Sequence, residues 1–327
     1  MSFDYLIDKI ATAPMGRAPF AHIEIVDFFS AEHFAQIIAT PEIMLQAAAN
    51  DEALFDTLFK AGWKIIGFPG CITDHKTYIR WHKQKKQQRD HNNSACEGFG
   101  ITLRLMHYAS PILSELSEFL ASTPFKQAIA QRFSIALDAV IYDGGIQKYL
   151  DGYEISPHPD IRRKALTFMV NVNPDPEAAA RQHHTHYLTF NDAYRYVQTY
   201  WDGHPHADRC WVPWDWCDTQ KIQRANNSIV IFAPGNDTMH GVKAQYDHLH
   251  YQRTQLYGNL WYHENPSLPL ADWEDLVIYP GQHRSNVQPS VSLVAGLRAA
   301  IPASVKQPIR RLLGRDASVV ATRNNTP

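Results

Sequence analysis

The sequence predicts an α+β protein in which an α-rich N-terminal half packs on a mainly β core. Two textures carry this. Up to about residue 135, apolar residues recur at helical spacing between candidate caps, as in SPILSELSEFLASTPFKQAIAQ at 110–131. From about Asp138 to Tyr262, short β-rich runs alternate with Gly, Pro, Asn and Asp, the pattern of an antiparallel sandwich or barrel. With 327 residues, 45 % hydrophobic and 20 % charged, the chain can bury a sizeable core in the manner of a globular protein.

Taken in order, PFAHIEIVDFF reads as a strand, Ser30 as the N-cap of a helix over AEHFAQIIA, and 41–60 as continuing helix. The 110–131 stretch gives one or two helices broken near Pro124. The β runs are AVIYDGG, IQKYLDG, KALTFMVNVN, HYLTF, SIVIFAP, HGVKA and RTQLYGNLWY. The long stretch 174–223, rich in Trp and Tyr, reads as an insertion between core strands that can line a pocket. One domain is expected over 1–280, α-rich over 1–135 with its β core at 138–262, followed by a basic tail over 281–327.

A net charge of −2 gives no electrostatic case for a nucleic-acid partner. The first thirty residues show no basic start followed by an apolar core, and no apolar stretch is long enough to span a bilayer. Cys71, Cys96, Cys210 and Cys217 are scattered and form no CxxC pair, which excludes a zinc ribbon and disfavours a disulfide framework. A cytoplasmic location is the expectation; the oligomeric state is not legible. The polar segment from Thr73 to Asn93 reads as a solvated loop or helix face, or alternatively as a substrate-facing lid, for which nothing further in the sequence argues. The tail sets Arg284, Arg298, Lys306, Arg310, Arg311, Arg315 and Arg323 against Asp316 alone. It reads as an extended or disordered arm, or alternatively as a weak contact for an anionic membrane surface.

The chain holds 17 histidines, which invites a search for ligand geometry. In PHPD, His158 and Asp160 stand two apart, and in an extended strand such residues project to one side. A histidine nitrogen and a carboxylate oxygen suit a first-row divalent metal. Further on, SIVIFAP leads to His240 in MHGV and then to Arg253 in YQRTQLYGNLWY. HxD with a distant third histidine is the pattern of a two-histidine, one-carboxylate facial triad, which leaves one side of the metal open. Arg253 adds a guanidinium fork of the kind that binds a carboxylate bidentately. His184 and His186 form a rival HxH pair without a carboxylate partner, and Arg224 is an alternative cation.

The strings YLDGYEISPHPDIRRKALTFMVNVN, FAPGNDTMHGV and RTQLYGNLWY together resemble the Fe(II)/2-oxoglutarate-dependent dioxygenases, closest to their prolyl-4-hydroxylase-like branch. The resemblance covers about 138–262, with a fainter echo at PFAHIEIVDFFSAEHF. It implies a double-stranded β-helix, a cupin-like jelly roll, with the metal at its mouth. It implies His158, Asp160 and His240 as Fe(II) ligands and Arg253 as the partner of the distal carboxylate of 2-oxoglutarate. Tyr149 matches a tyrosine that helps hold that carboxylate, and Asn171 and Thr167 fall where further cosubstrate contacts are common. The thirteen positions from His240 to Arg253 make a longer connection than that branch usually has. The implied reaction consumes O2 and 2-oxoglutarate, releases succinate and CO2, and hydroxylates an unactivated C–H. The carboxylate of Asp160 favours hydroxylation or desaturation over halogenation. Small-molecule, peptidyl and glycan or lipid-head-group substrates all remain open. The alternatives are a cupin-like isomerase or sensor that uses the metal without 2-oxoglutarate, and a catalytically silent binding module.

Overall fold

Short helices, most of them capped by a side chain, build the N-terminal half. The computed structural model describes residues 2–67, 70–84 and 100–266. The basic tail and most of the polar run after Lys83 lie outside these residues. Helix α1 (Tyr5–Thr12) precedes a two-residue strand β1 (Met15–Gly16) and strand β2 (His22–Val26). Ser30 then caps α2 (Ala31–Ile38), its hydroxyl accepting from the His33 N–H at 3.1 Å.

The helix expected over 41–60 forms only as α3 (Asp51–Lys60), capped by Asn50. Backbone groups of the preceding ten residues are committed elsewhere. The Glu42 carbonyl accepts from Trp63 Nε1 at 2.9 Å, and the Ala48 N–H donates to the Leu249 carbonyl at 2.8 Å. Strand β3 (Trp63–Ile66), helix α4 (His75–Lys83) and strand β4 (Thr102–Leu105) follow. The 110–131 pattern resolves into α5 (Pro111–Ala121) and α6 (Thr123–Arg132), with Ser122 ending one and capping the other.

The β core comprises β5 (Val140–Tyr149), β6 (Glu154–His158), β7 (Lys164–Asn171), β8 (Thr185–Phe190), β9 (Cys217–Ile222), β10 (Ser228–Phe232), β11 (His240–Lys243) and β12 (Arg253–Tyr262), with α7 (Arg195–Gly203) between β8 and β9. Every pairing is antiparallel. One sheet has the order β1-β2-β10-β7-β12-β5-β4-β3, the other β6-β11-β8-β9. Two sequence expectations change here. AVIYDGG and IQKYLDG are one strand, because Gly144 continues the ladder; a Cβ there would lie 2.1 Å from the Tyr142 hydroxyl. Residues 174–223 are not a simple insertion, since they supply β8 and β9 to the smaller sheet.

Alternation along β7 and β12 divides the layers. Leu166, Phe168 and Val170, with Leu256 and Leu260, face the helices and pack with Leu6, Leu116 and Phe125 in the main core. The Phe168 ring meets Phe125 edge-on at 5.5 Å, and Gly258 gives it room, because a Cβ there would lie 2.2 Å from that ring. The opposite face of β12 reads Arg253, Gln255, Tyr257, Asn259, Trp261. It turns toward the smaller sheet and bounds a cavity of about 640 Å³ between the two. This volume lies within the roughly 300–1,000 Å³ usual for small-ligand sites. Among the described residues, no helix is long and apolar enough to cross a membrane.

Candidate metal centre

His158 ends β6 and His240 begins β11, and the two are directly paired across the ladder, their rings 4.2 Å apart. Asp160 joins them by a route the sequence pattern did not give. It lies beyond the strand, with φ at +72°, a left-handed conformation that Asp tolerates better than most residues. A turn through Pro159, and not strand alternation, brings its carboxylate around. Its oxygens then lie 3.6 Å from His158 Nε2 and 3.8 Å from His240 Nε2. All three side chains are buried, and the ligand atoms lie within 4.8 Å of one another.

Backbone carbonyls set which imidazole nitrogen is offered. His158 Nδ1 is 2.8 Å from the Ser156 carbonyl, and His240 Nδ1 is 2.9 Å from that of Thr238. A carbonyl only accepts, so each Nδ1 carries a proton, which makes each Nε2 the nitrogen available to a metal at the shared point, as in metal-binding histidines. Burial and the neighbouring His158 push His240 down to about 3, which keeps the ring neutral. Burial alone would raise the Asp160 carboxyl, but the Lys164 ammonium, the strongest of the opposing influences, holds it well below the usual carboxylate range. Asp160 Oδ1 accepts from Lys164 Nζ at 2.6 Å and Oδ2 from Thr167 Oγ1 at 2.9 Å. Thr167 thus sits beside the carboxylate.

Arg253, the first residue of β12, lines the same cavity and is 2 % exposed. Its guanidinium lies 4.5 Å over the Tyr149 ring, and Nη2 donates to Thr185 Oγ1 at 3.2 Å. Nη1 is buried without any partner, and no carboxylate pairs with this cation among the described residues. Burying an uncompensated charge is costly, and a ligand carboxylate on the bidentate fork is what would offset it. Tyr149 also lines the cavity, but its hydroxyl donates to Gln147 Oε1 at 2.6 Å; its ring is what meets Arg253.

Asn171 is placed differently. Its amide donates to the carbonyls of Gln223 and Ala225, its oxygen accepts from Gln255 Nε2, and it does not line the cavity. It ties the end of β7 to the segment leading into β10. His184, His186 and Arg224 line a separate concavity with Arg181 and Lys243, and no Asp or Glu is among its lining residues. Of the aromatic residues in 174–223, Trp211 reaches the cavity that holds the triad, while Trp214 and Trp216 pack in a small cluster of their own. The extra length between His240 and Arg253 is an anchoring loop, which carries His248 to Asp51 and Leu249 to Ala48.

Sequence reasoning missed Lys164, Thr185, Gln255 and Asn259. Along β12 the missed signal is visible in RTQLYGNLWY: one face is apolar, while the other is polar yet buried, as suits a cavity wall. A second convergence of His and Asp was also missed, made by Asp51, His82 and His248. Hydrogen bonds close it. His82 donates one ring N–H to Asp51 at 3.0 Å and the other to Asp151 at 2.9 Å. His248 donates from Nε2 to Asp51 at 2.7 Å and accepts the Asp151 N–H on Nδ1.

No family model matches the chain, and no curated protein does. Solved structures similar to it include a prolyl-4-hydroxylase from Pseudomonas putida, at 10 % identity and TM-score 0.36, covering 80 % of this chain and 100 % of that one. EvdO2 from Micromonospora carbonacea var. aurantiaca, solved in complex with 2-oxoglutarate, is 13 % identical at TM-score 0.30, over 64 % of this chain and 89 % of its own. A 2OG-Fe(II) oxygenase family oxidoreductase from Burkholderia pseudomallei is 10 % identical at TM-score 0.29, over 69 % and 98 %.

Proposed function

We propose that the chain is an Fe(II)- and 2-oxoglutarate-dependent dioxygenase that hydroxylates an unactivated C–H bond, built as a double-stranded β-helix within one domain over residues 1–280. The observation that carries this is the pairing, in one cavity, of a His158–Asp160–His240 triad with a buried arginine that lacks an acidic partner. A metal protein without a dicarboxylate cosubstrate has no use for that arginine. The alternation of chain between the sheets, from β5 to β6 to β7 and again from β10 to β11 to β12, supports the jelly-roll assignment.

The donor set fits a first-row divalent ion such as Fe(II): two imidazole nitrogens and one carboxylate. Bound there with 2-oxoglutarate and O2, the ion supplies the oxidising chemistry that converts C–H to C–OH while 2-oxoglutarate becomes succinate and CO2. The chain's own residues do the rest. The Ser156 and Thr238 carbonyls orient the imidazoles, and Thr167 and Lys164 fix the carboxylate. Arg253 holds the distal carboxylate of the cosubstrate, steadied by the Tyr149 ring and Thr185. Trp211, Tyr257 and Trp261 present apolar surface around the remaining space and limit the water in it.

Anaerobic titration with Fe(II) and then 2-oxoglutarate tests this. The expected result is a weak metal-to-ligand charge-transfer band that is absent in Arg253→Ala, with oxygen-dependent succinate release that is absent in Asp160→Ala. Metal binding without that band in the unaltered protein would replace the proposal with the cupin-like alternative.

A further inference from the structure

The cavity holds a second arginine, placed to one side of the line from the metal triad to Arg253. Thr167, which donates to Asp160, lies across from Asn259, and Asn259 lies across from Asp143 on β5. Asp143 therefore stands in the metal's own row of the larger sheet, two strands over, at roughly 10 Å for strand spacings near 4.8 Å. Arg104, on β4, lies across from Gln147 and reaches toward Asp143 and Tyr257. Arg253 lies six residues along β12 from Asn259. A molecule held at Arg104 and Asp143 thus lies beside the cosubstrate and level with the metal.

Arg104 and Asp143 are partly exposed to solvent here, and two polar atoms at this place are buried and unpaired. Arg104 Nη1 and Asp143 Oδ1 are 3.7 Å apart, close enough to attract but too long for the N–H···O bond they would otherwise make. Arg104 Nε and the Tyr257 hydroxyl are both buried without a partner, and the guanidinium lies 4.9 Å over the Tyr257 ring. Lys164, also on this wall, is by contrast closed by Asp160. Gly145, across the ladder from Tyr257, leaves the floor clear; a Cβ there would stand 3.7 Å from the Tyr257 ring and 3.9 Å from Arg104 Cδ.

We infer that Arg104, Tyr257 and Asp143 are the substrate seat, and that the substrate is a free α-amino acid or an amino-acid-like zwitterion. This rests on the proposed oxygenase function of the same cavity. A guanidinium with an adjacent hydroxyl donor suits a carboxylate, and Asp143 suits an ammonium. Opposite charges this close match the two groups an α-amino acid carries on one carbon. A neutral glycan or an internal peptide residue presents no such pair. The substrate side chain then extends among Trp211, Trp261 and Ile161.

The test is binding to full-length protein loaded with Co(II) and 2-oxoglutarate, whose own binding is measured first by calorimetry. Each proteinogenic L-amino acid is then titrated, and the tightest is compared with its N-acetyl and carboxamide forms. At least one free amino acid is expected to bind, with either cap weakening it by about tenfold or more. Arg104→Gln should remove the discrimination against the carboxamide, and Asp143→Asn that against the N-acetyl form, while 2-oxoglutarate affinity shifts by less than about threefold. Arg104→Lys, which keeps the charge, should retain part of the carboxylate preference. If the loaded protein binds no amino acid, or binds one indifferently to all three substitutions, the inference falls and the oxygenase proposal stands. If the unaltered protein binds neither Co(II) nor 2-oxoglutarate, both fall.

Discussion

Replacing Arg253 with Met should move two measurements in opposite directions. In the unliganded protein Arg253 is a buried cation held by one hydrogen bond to Thr185 and by the Tyr149 ring face. A desolvated cation–π contact contributes about 2 kcal/mol and the hydrogen bond about 1 kcal/mol. Taking an ion out of water costs several kcal/mol, and no acidic partner offsets it here. Arg253→Met, which keeps the volume and removes the charge, should therefore leave unliganded stability unchanged or raise it by about 1–4 kcal/mol. The ligand effect should vanish. At about 100 times its Kd, 2-oxoglutarate with Co(II) stabilises a binding protein by about 2.7 kcal/mol, and truncating one partner of a buried charge pair costs 3–5 kcal/mol, or roughly two to four decades in affinity. Chemical denaturation of both proteins with and without Co(II) and 2-oxoglutarate reads both quantities. A variant strongly destabilised without ligand, yet still stabilised by 2-oxoglutarate, would refute the assignment of Arg253.

Three further outcomes follow from contacts already described. Thr167→Val removes the donor to Asp160 Oδ2 and should weaken Co(II) binding by about 10–100-fold, read from the visible absorbance of the bound ion. Burial alone would lower His82, but Asp151 and Asp51 raise it to about 9, above its unfolded value near 6.5. Its stabilisation is therefore complete below about pH 6.5 and lost as pH rises through about 9, so the stability gap between the unaltered protein and His82→Gln, on the order of 3 kcal/mol at its fullest, should close across that window. Lys148 has the opposite sign: burial holds it down at about 7, below its unfolded value near 10.4. Lys148→Met should accordingly gain most over the unaltered protein below pH 7, with the gain fading toward pH 10 in denaturation curves.

The sequence displayed the parts of this molecule that depend on local pattern. Ser30 caps its helix, the 110–131 helices break at Ser122 just ahead of Pro124, and the β runs from 138 onward become strands. The convergence of His158, Asp160 and His240 was legible because ligand chemistry restricts residue type and because His158 and His240 each abut a strong strand signal. What was hidden depends on contacts between distant residues. Residues 41–50 look helical until Trp63 and Leu249 claim their backbone. Gly144 and Gly145 look like a turn until Tyr142 and Tyr257 show why side chains are missing there. Asp160 was read onto a strand because the left-handed turn after Pro159 leaves no periodic trace. Asn171 carries the same residue type as a cosubstrate contact, yet its amide is consumed by Gln223, Ala225 and Gln255.

The doubly bonded His82 has a consequence for how far the β core can be treated as a portable module. Residues 138–262 contain every proposed metal and cosubstrate ligand, and on that count look like a transferable unit. The turn after Tyr149 and the loop leading into Arg253 are nevertheless fastened, through Asp151 and His248, to a hydrogen-bonded cluster whose other members, Asp51 and His82, belong to α3 and α4. Excising the core would leave its ligands in place and release the two backbone segments that aim Tyr149 and Arg253. The proposed chemistry is encoded in one half of the chain and its alignment in the other, so neither half can be exchanged without the residue that meets it across the seam.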